Sequence, residues 1–264
     1  MTSAEWDQVY VPLAHVVGVH LDGHRALSRH LRAAGLHGVG DGAFIIGLAG
    51  SVAAGKSTYA NTLAALIAAR PDRPVVEVLS TDGFLFSNAV LGQRGAVMRK
   101  GFPESYDDEL LGNVLAALAA GAWPVAVPRY SHAVYDITGP PQVLDRSDVV
   151  IVEGINALAR IGAVDVADAC RLRLYLDADE PDLRHWYVSR FARLVSEARE
   201  DPSSFFAQWV GLGDDEVALL AASVWEQVNL RNLTEHILPT RWRADIVLHK
   251  GADHAVTHVA VRTR

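Results

Sequence analysis

Lys56 and Ser57 close the run Gly50-Ser51-Val52-Ala53-Ala54-Gly55-Lys56-Ser57-Thr58, which has the spacing G-x-x-x-x-G-K-S. That spacing suits triphosphate binding. The glycines let the backbone curl so that successive N–H groups point at phosphate oxygens. A helix opening at Lys56 adds its positive end. The lysine reaches the outer phosphates, and the serine hydroxyl can ligate Mg²⁺. Glu153 ends the apolar run Val149-Val150-Ile151-Val152, where a metal-side acid of such a loop belongs. Asp82 follows another apolar run, in Ser80-Thr81-Asp82-Gly83-Phe84. A carboxylate at a strand end beside a γ-phosphate can take the proton of an attacking hydroxyl. Asp-Gly is also an ordinary turn pair, so position alone does not select Asp82.

Other groups are less specific. Arg190 falls at helical spacing with Leu183, Tyr187, Phe191 and Leu194. A guanidinium on an apolar face needs an anion, either transferred phosphate or an internal carboxylate. Tyr130, His132, Tyr135 and Asp136 crowd one short stretch and could wall a pocket with hydrogen-bonding groups. Arg94, Arg99 and Lys100 make residues 85–106 a basic loop, which suits anion handling or simple solvation.

The elements that must position these groups follow from hydrophobic periodicity. Residues 43–48 read as a buried strand and 57–69 as a helix, flanking the loop at Gly50. Residues 75–79 predict a second strand that delivers Asp82 to its carboxyl end, where ligands of open α/β sheets lie. Asp107 caps a helix that runs to Ala120 and stops at Gly121, and 125–127 is a short strand. Residues 171–176 alternate as a strand with one wet face, and 181–200 form a long helix. Phe205, Phe206 and Trp209 read as core or pocket lining, and 214–236 as a helix carrying Asn229 and Asn232. Residues 244–249 and 256–262 form a terminal pair of strands. At the other end, 6–34 read as helix interrupted near Asp22-Gly23, followed by a turn over 38–42. The expected fold is a three-layer α/β phosphate-loop architecture with a mainly parallel sheet. Residues 1–264 are expected to form one such domain, with the helical segment 1–36 packed on it.

Composition narrows the class. The 264 residues are 50% hydrophobic, enough for a large core, and carry a net charge of −7, which argues against a general nucleic-acid binder. The lone Cys170 excludes a disulfide framework and fits a cytosolic enzyme. Residues 1–10 lack a basic-then-apolar leader pattern, and no apolar run reaches the roughly 18 residues of a membrane span. A cytoplasmic location is expected.

The segments GLAGSVAAGKST, STDGF, RKGFPESYD, PRYSHAVYD, IVEGIN, WYVSRF, NLRNLTEHILPTR and ADHAV occur in that order. Together they resemble the bacterial type I pantothenate kinases over residues 7–262. KGFPESYD, YSHAVYD and ILPTR are the most specific, since uridine kinase and phosphoribulokinase share only the nucleotide half. The resemblance implies ATP-dependent phosphorylation of the terminal hydroxyl of pantothenate, the first step of coenzyme A synthesis, by a homodimer. It implies Asp82 as catalytic base, Lys56 and Ser57 as phosphate and Mg²⁺ ligands, Glu153 as metal-side acid, and Arg190 as the group on the transferring phosphoryl. It further implies Tyr130, His132, Tyr187 and Asn232 around pantothenate, with Phe206 as an apolar wall and His254 beside adenine.

The departures from that family carry expectations of their own. The chain starts just ahead of the Val9-Tyr10-Val11-Pro12-Leu13 segment, without most of the family's N-terminal extension. Asn61 stands where the family has an arginine on the phosphates of coenzyme A, the feedback inhibitor. Leu194 replaces a phenylalanine that touches the inhibitor's thiol arm and lines the acceptor pocket. Weakened coenzyme A inhibition is expected. A same-fold kinase for another small alcohol or a nucleoside is the alternative left open by Leu194. A nucleotide-binding regulator without turnover is disfavoured, because a binding module needs no base at Asp82.

Overall fold

The computed structural model describes residues 5–36 and 41–262. The turn expected over 38–42 therefore lies mostly outside the described residues, as does the start of segment 1–36. A six-stranded sheet forms the middle layer. Its strands are β1 (Phe44–Gly50), β2 (Val76–Ser80), β3 (Val149–Glu153), β4 (Leu172–Ala178), β5 (Ile246–Lys250) and β6 (Val256–Val261). They lie side by side in the order β6-β5-β4-β1-β3-β2. All neighbouring pairs are parallel except β5 with β6, which close the edge as an antiparallel hairpin.

Strand alternation explains the layers. Phe44, Ile46 and Leu48 of β1 enter one core while Ala43 and Ile45 enter the other. The first face is covered by α1 (Val11–Ala33) and α2 (Lys56–Ala68), and by Leu183 and Trp186 of α4 (Glu180–Glu197). The second is covered by α3 (Asp108–Ala120) and by the short hairpin of Val125–Val127 with Gln142–Leu144. A satellite cluster joins α4 to α5 (Asp214–Val224) through Phe191, Phe206 and Val217.

The caps of α3 are as expected: Asp107 accepts from the Leu110 amide at 2.9 Å, and Gly121 adopts φ 70. Two expectations fail for physical reasons. Helix α1 runs through Gly23 unbroken, because the roughly 1 kcal/mol cost of one glycine is outweighed by burial of Leu13, Val17 and Leu21. Strand β4 lies between β1 and β5 and is buried at five of its seven positions, so only Arg173 and Asp177 remain half-exposed on the face expected to be wet. The helix expected over 214–236 is present from Asp214 to Ile237, with π-helical turns at Trp225–Asn229 and Leu233–Ile237 on either side of an α-helical turn at Leu230–Asn232. Among the described residues no helix is long and apolar enough to cross a membrane.

Candidate active site

The phosphate loop joins β1 to α2 at the carboxyl edge of the sheet. Gly50 adopts φ 151, and a Cβ there would meet the Leu176 carbonyl at 2.4 Å. Gly55 adopts φ 88 and is the N-cap of α2. The loop thus follows a path that side chains at its ends would block. Inside it the buried Lys56 Nζ donates to the Ser51 carbonyl at 2.8 Å. From across the sheet, Lys250 at the end of β5 donates to the Ala54 carbonyl at 3.0 Å. The cradle is held by side chains on both flanks before any ligand enters.

Three charged side chains from distant segments converge on Lys56. Burial pushes its pKa down, the Glu153 and Asp82 carboxylates push it back up, and Arg190 pushes it down. Glu153 is buried at the end of β3, and its Oε1 accepts from the Ser57 hydroxyl at 3.0 Å. One hydroxyl and one carboxylate form a sparse oxygen set. Such a set suits Mg²⁺, which keeps waters and takes phosphate oxygens as its other ligands. No group of three His, Cys, Asp or Glu side chains makes a self-sufficient metal cage among the described residues.

Asp82 sits half-buried in a 3-10 turn, Thr81–Phe84, whose N-cap hydroxyl on Ser80 accepts from the Asp82 amide at 3.3 Å. Its charge reaches in two directions. On one side it acts on Lys56; on the other it helps burial raise the pKa values of Tyr106, Tyr130 and Tyr135. Asp82 therefore stands between the phosphate cradle and a cluster of aromatic side chains.

That cluster is built from the 128–136 segment and from α4 and its neighbours. Tyr130 meets His132 edge-on at 5.1 Å between ring centroids, and Tyr135 at 6.0 Å. Tyr135 stacks on Phe205 at 4.7 Å and meets the buried Phe206 at 6.4 Å. Tyr187 joins through Phe191 and Trp225, and burial raises its pKa while contact with Asn229 opposes the rise. His132 is exposed at the rim. Asn232 is buried, with its Nδ2 on the Gly101 carbonyl at 3.0 Å.

One site residue lies differently from its sequence reading. Arg190 is solvent-exposed and not on the apolar stripe; the buried residues of α4 are Leu183, Trp186, Phe191 and Val195. The helical spacing did place it near the buried face, but the turn of the helix leaves the guanidinium at the cleft. No ion pair holds it among the described residues, so an internal carboxylate does not account for it. His254 is exposed as well, and stacks on the Trp186 ring at 4.0 Å.

Several groups were not singled out from sequence. Lys100 donates to Asn88 Oδ1 at 2.6 Å and to the Tyr135 carbonyl. Its ammonium lies 5.1 Å from the Tyr130 centroid and 4.5 Å from that of Tyr135. Burial lowers its pKa against the pull of Asp136 and Asp82. Its neighbours in a basic loop were visible, but nothing local distinguished it from Arg99. Lys250 and Trp186 gave no sequence signal, because their partners are separated from them along the chain.

The family model described as the phosphoribulokinase/uridine kinase family matches residues 45–193, more than half of the chain. A pantothenate kinase of Sorangium cellulosum is 47% identical over 258 residues, covering 96% of this chain and 84% of that protein. A pantothenate kinase of Rhizobium rhizogenes is 42% identical over 264 residues, covering 97% and 80%. The solved D-glycerate 3-kinase of Cryptococcus neoformans superposes with a TM-score of 0.61 at 11% identity, covering 95% of this chain and 99% of that one, a likeness of fold alone. With a cradle, two acids and a cleft arginine on the phosphate-loop scaffold, and with this level of identity along nearly its whole length, the chain belongs to the pantothenate kinase family of phosphate-loop kinases.

Proposed function

We propose that the protein transfers the γ-phosphoryl group of ATP to the terminal hydroxyl of pantothenate, giving 4'-phosphopantothenate for coenzyme A synthesis. The observation that carries this reading is the position of Asp82, whose charge acts on Lys56 in the cradle and on Tyr130 and Tyr135 in the aromatic cluster. A binding module has no use for a carboxylate between its nucleotide and a second pocket.

Asp82 accepts the proton of the acceptor hydroxyl as its oxygen bonds to the γ-phosphorus; the bond to the β-phosphate oxygen breaks and ADP leaves. Residues Gly50 to Thr58 hold the triphosphate through backbone N–H groups, and Lys56 and Arg190 carry the charge that spreads over the transferring group. Ser57 and Glu153 would hold Mg²⁺, which supplies charge neutralisation across the phosphates when bound. His254 on its Trp186 support offers a face to the adenine. Tyr130, His132, Tyr187 and Asn232 take the amide, hydroxyl and carboxylate of pantothenate, and Phe206 closes the apolar side. Lys100 adds a cation for the acceptor's own negative charge.

The test is ADP release and product mass with pantothenate, uridine and ribulose 5-phosphate as acceptors. Phosphorylated pantothenate with little turnover of the others is expected; preferential phosphorylation of uridine would overturn the reading. The same reading includes one phosphate-loop domain over residues 1–264 and a homodimer. The exposed apolar residues Val16, Val19 and Leu27 of α1 are its candidate surface. A monomer by sedimentation at micromolar concentration would remove the dimer. Cytoplasmic location and reduced coenzyme A inhibition belong to the same reading.

A further inference from the structure

The turn after β3 carries a buried amide that the reaction as described does not use. Asn156 is fully buried, and its Nδ2 donates to the Gly101 carbonyl at 2.9 Å. Asn232 donates to the same carbonyl at 3.0 Å. A carbonyl only accepts, so both amides must present their NH₂ groups to it, and the orientation of each is fixed. Each amide is thereby left with its Oδ1 buried and, among the described residues, without a hydrogen-bond partner; of the two, Asn232 is the one that the resemblance sets beside the acceptor. A buried acceptor without a donor is costly, and a native site keeps one where a ligand supplies the donor.

Gly101 is itself tightly held. It adopts φ 90, and a Cβ there would crowd Ile155 at 3.2 Å. Its amide donates to the Ser105 hydroxyl at 3.0 Å, which in turn donates to the Phe102 carbonyl at 2.7 Å. This strap follows Lys100 directly and is tied beside Asp82, with the Phe86 amide on the Ser105 carbonyl and the Asp107 amide on the Phe84 carbonyl, both at 2.8 Å. On its other edge the Asn156 side chain acts on the buried Tyr106 hydroxyl, as does Thr81, the residue before Asp82, though among the described residues the Tyr106 hydroxyl, Thr81 Oγ1 and Asn156 Oδ1 complete no hydrogen bond. One side chain thus holds the strap that follows Lys100 and, through a shared oxygen, meets the amide of Asn232.

We propose that Asn156 is the positioning residue of the acceptor pocket: through the Gly101 carbonyl it fixes the orientation in which Asn232 offers its free Oδ1 to a donor group of the acceptor. The proposal deepens the reading given above and rests on it. Asn156 touches no reacting atom, so its removal disturbs acceptor binding more than nucleotide binding.

The test is steady-state kinetics of Asn156→Ala, Asn156→Asp, Asn232→Ala and the double variant Asn156→Ala with Asn232→Ala. The acceptor KM is expected to rise about tenfold in each Asn156 variant, the size of one lost polar contact, while the KM for ATP stays within about twofold. Asn156→Asp keeps the shape and loses the donor when ionised, so it carries the test if the alanine variant does not fold. Because Asn156 acts through Asn232, the double variant is expected to be no worse in acceptor KM than Asn232→Ala alone. An unmoved acceptor KM, equal losses for ATP and acceptor, additive effects in the double variant, or failure of both Asn156 variants to fold would each overturn the assignment. Absence of pantothenate turnover by the wild-type protein would overturn the underlying reading and the assignment with it; wild-type turnover with any of the preceding outcomes overturns the assignment alone.

Discussion

Replacing Gly154 by alanine should damage both fold and turnover, and the structure sets the size. Gly154 lies between Glu153 and the turn that carries Asn156, at φ 155. A Cβ at this position would fall 1.8 Å from Thr81 Oγ1 and 2.9 Å from Thr81 Cβ. Both segments are fully packed: Thr81 and Asn156 are each 0% exposed. Overpacking of a tight interior costs about 1–3 kcal/mol, and a positive φ for a residue with a Cβ adds about 1–2 kcal/mol. The expected loss is about 2–5 kcal/mol, a large share of the roughly 5–15 kcal/mol that holds a domain together. Urea denaturation at fixed pH measures it. Thr81→Ala in the same chain removes the nearest atom but leaves the backbone strain, so about half of the loss should return. The clash also pushes Thr81 against the neighbouring Asp82, so kcat should fall while the protein remains folded. A Gly154→Ala variant within 0.5 kcal/mol of wild type, or a double variant no more stable than Gly154→Ala alone, would refute the close-approach account of this glycine.

Further outcomes follow from the same geometry. Asp82→Asn should lower kcat about 10²- to 10⁴-fold with ATP binding nearly unchanged by titration; retention of most activity would remove Asp82 as base. Burial pushes the Cys170 thiol from 9.0 up to about 12. Its folded pKa is raised, so its stabilising contribution is intact below pH 9 and lost as pH rises toward 12. The stability of wild type relative to Cys170→Ala should therefore decline across that window by denaturation at stepped pH, and a constant difference would contradict it. Coenzyme A should compete weakly with ATP, because Asn61 cannot supply a charge-assisted phosphate contact of about 1.5–3 kcal/mol, roughly tenfold or more in affinity. Potent competitive inhibition at low micromolar concentration would reject this.

The phosphate loop, Glu153 and the strand ending near Asp82 were legible because each depends on a short local pattern, with a loop between an apolar run and a helix. The order of the strands was not, since nothing in β4 itself says that it lies between β1 and β5, and its alternating arginines suggested a wet face. Arg173 is instead held by Asp245 in a paired geometry at 2.9 and 3.0 Å, which lets a charged residue sit in a covered strand. Arg190 was recognisable as a functional group, but its exposure depends on how α4 rolls against the sheet. Asn156 and Lys250 stayed hidden, and Lys100 was visible only as one cation of a basic loop, for a common reason: each gains its meaning from a partner that periodicity and spacing cannot supply. The shared carbonyl of Gly101 is the extreme case, where two amides meet on an atom that every residue possesses.

The hydrogen bond from Lys250 to Ala54 spans 196 positions, and that from the Val256 amide to Glu5 spans 251. During synthesis the ribosome releases the glycine loop long before the edge hairpin that braces it. A nascent chain lacking β5 and β6 leaves the flank of β4 uncovered and the Ala54 carbonyl without its lysine. The braced form of the loop therefore exists only once the last strands are made, and until then the flank of β4 is an unpaired sheet edge.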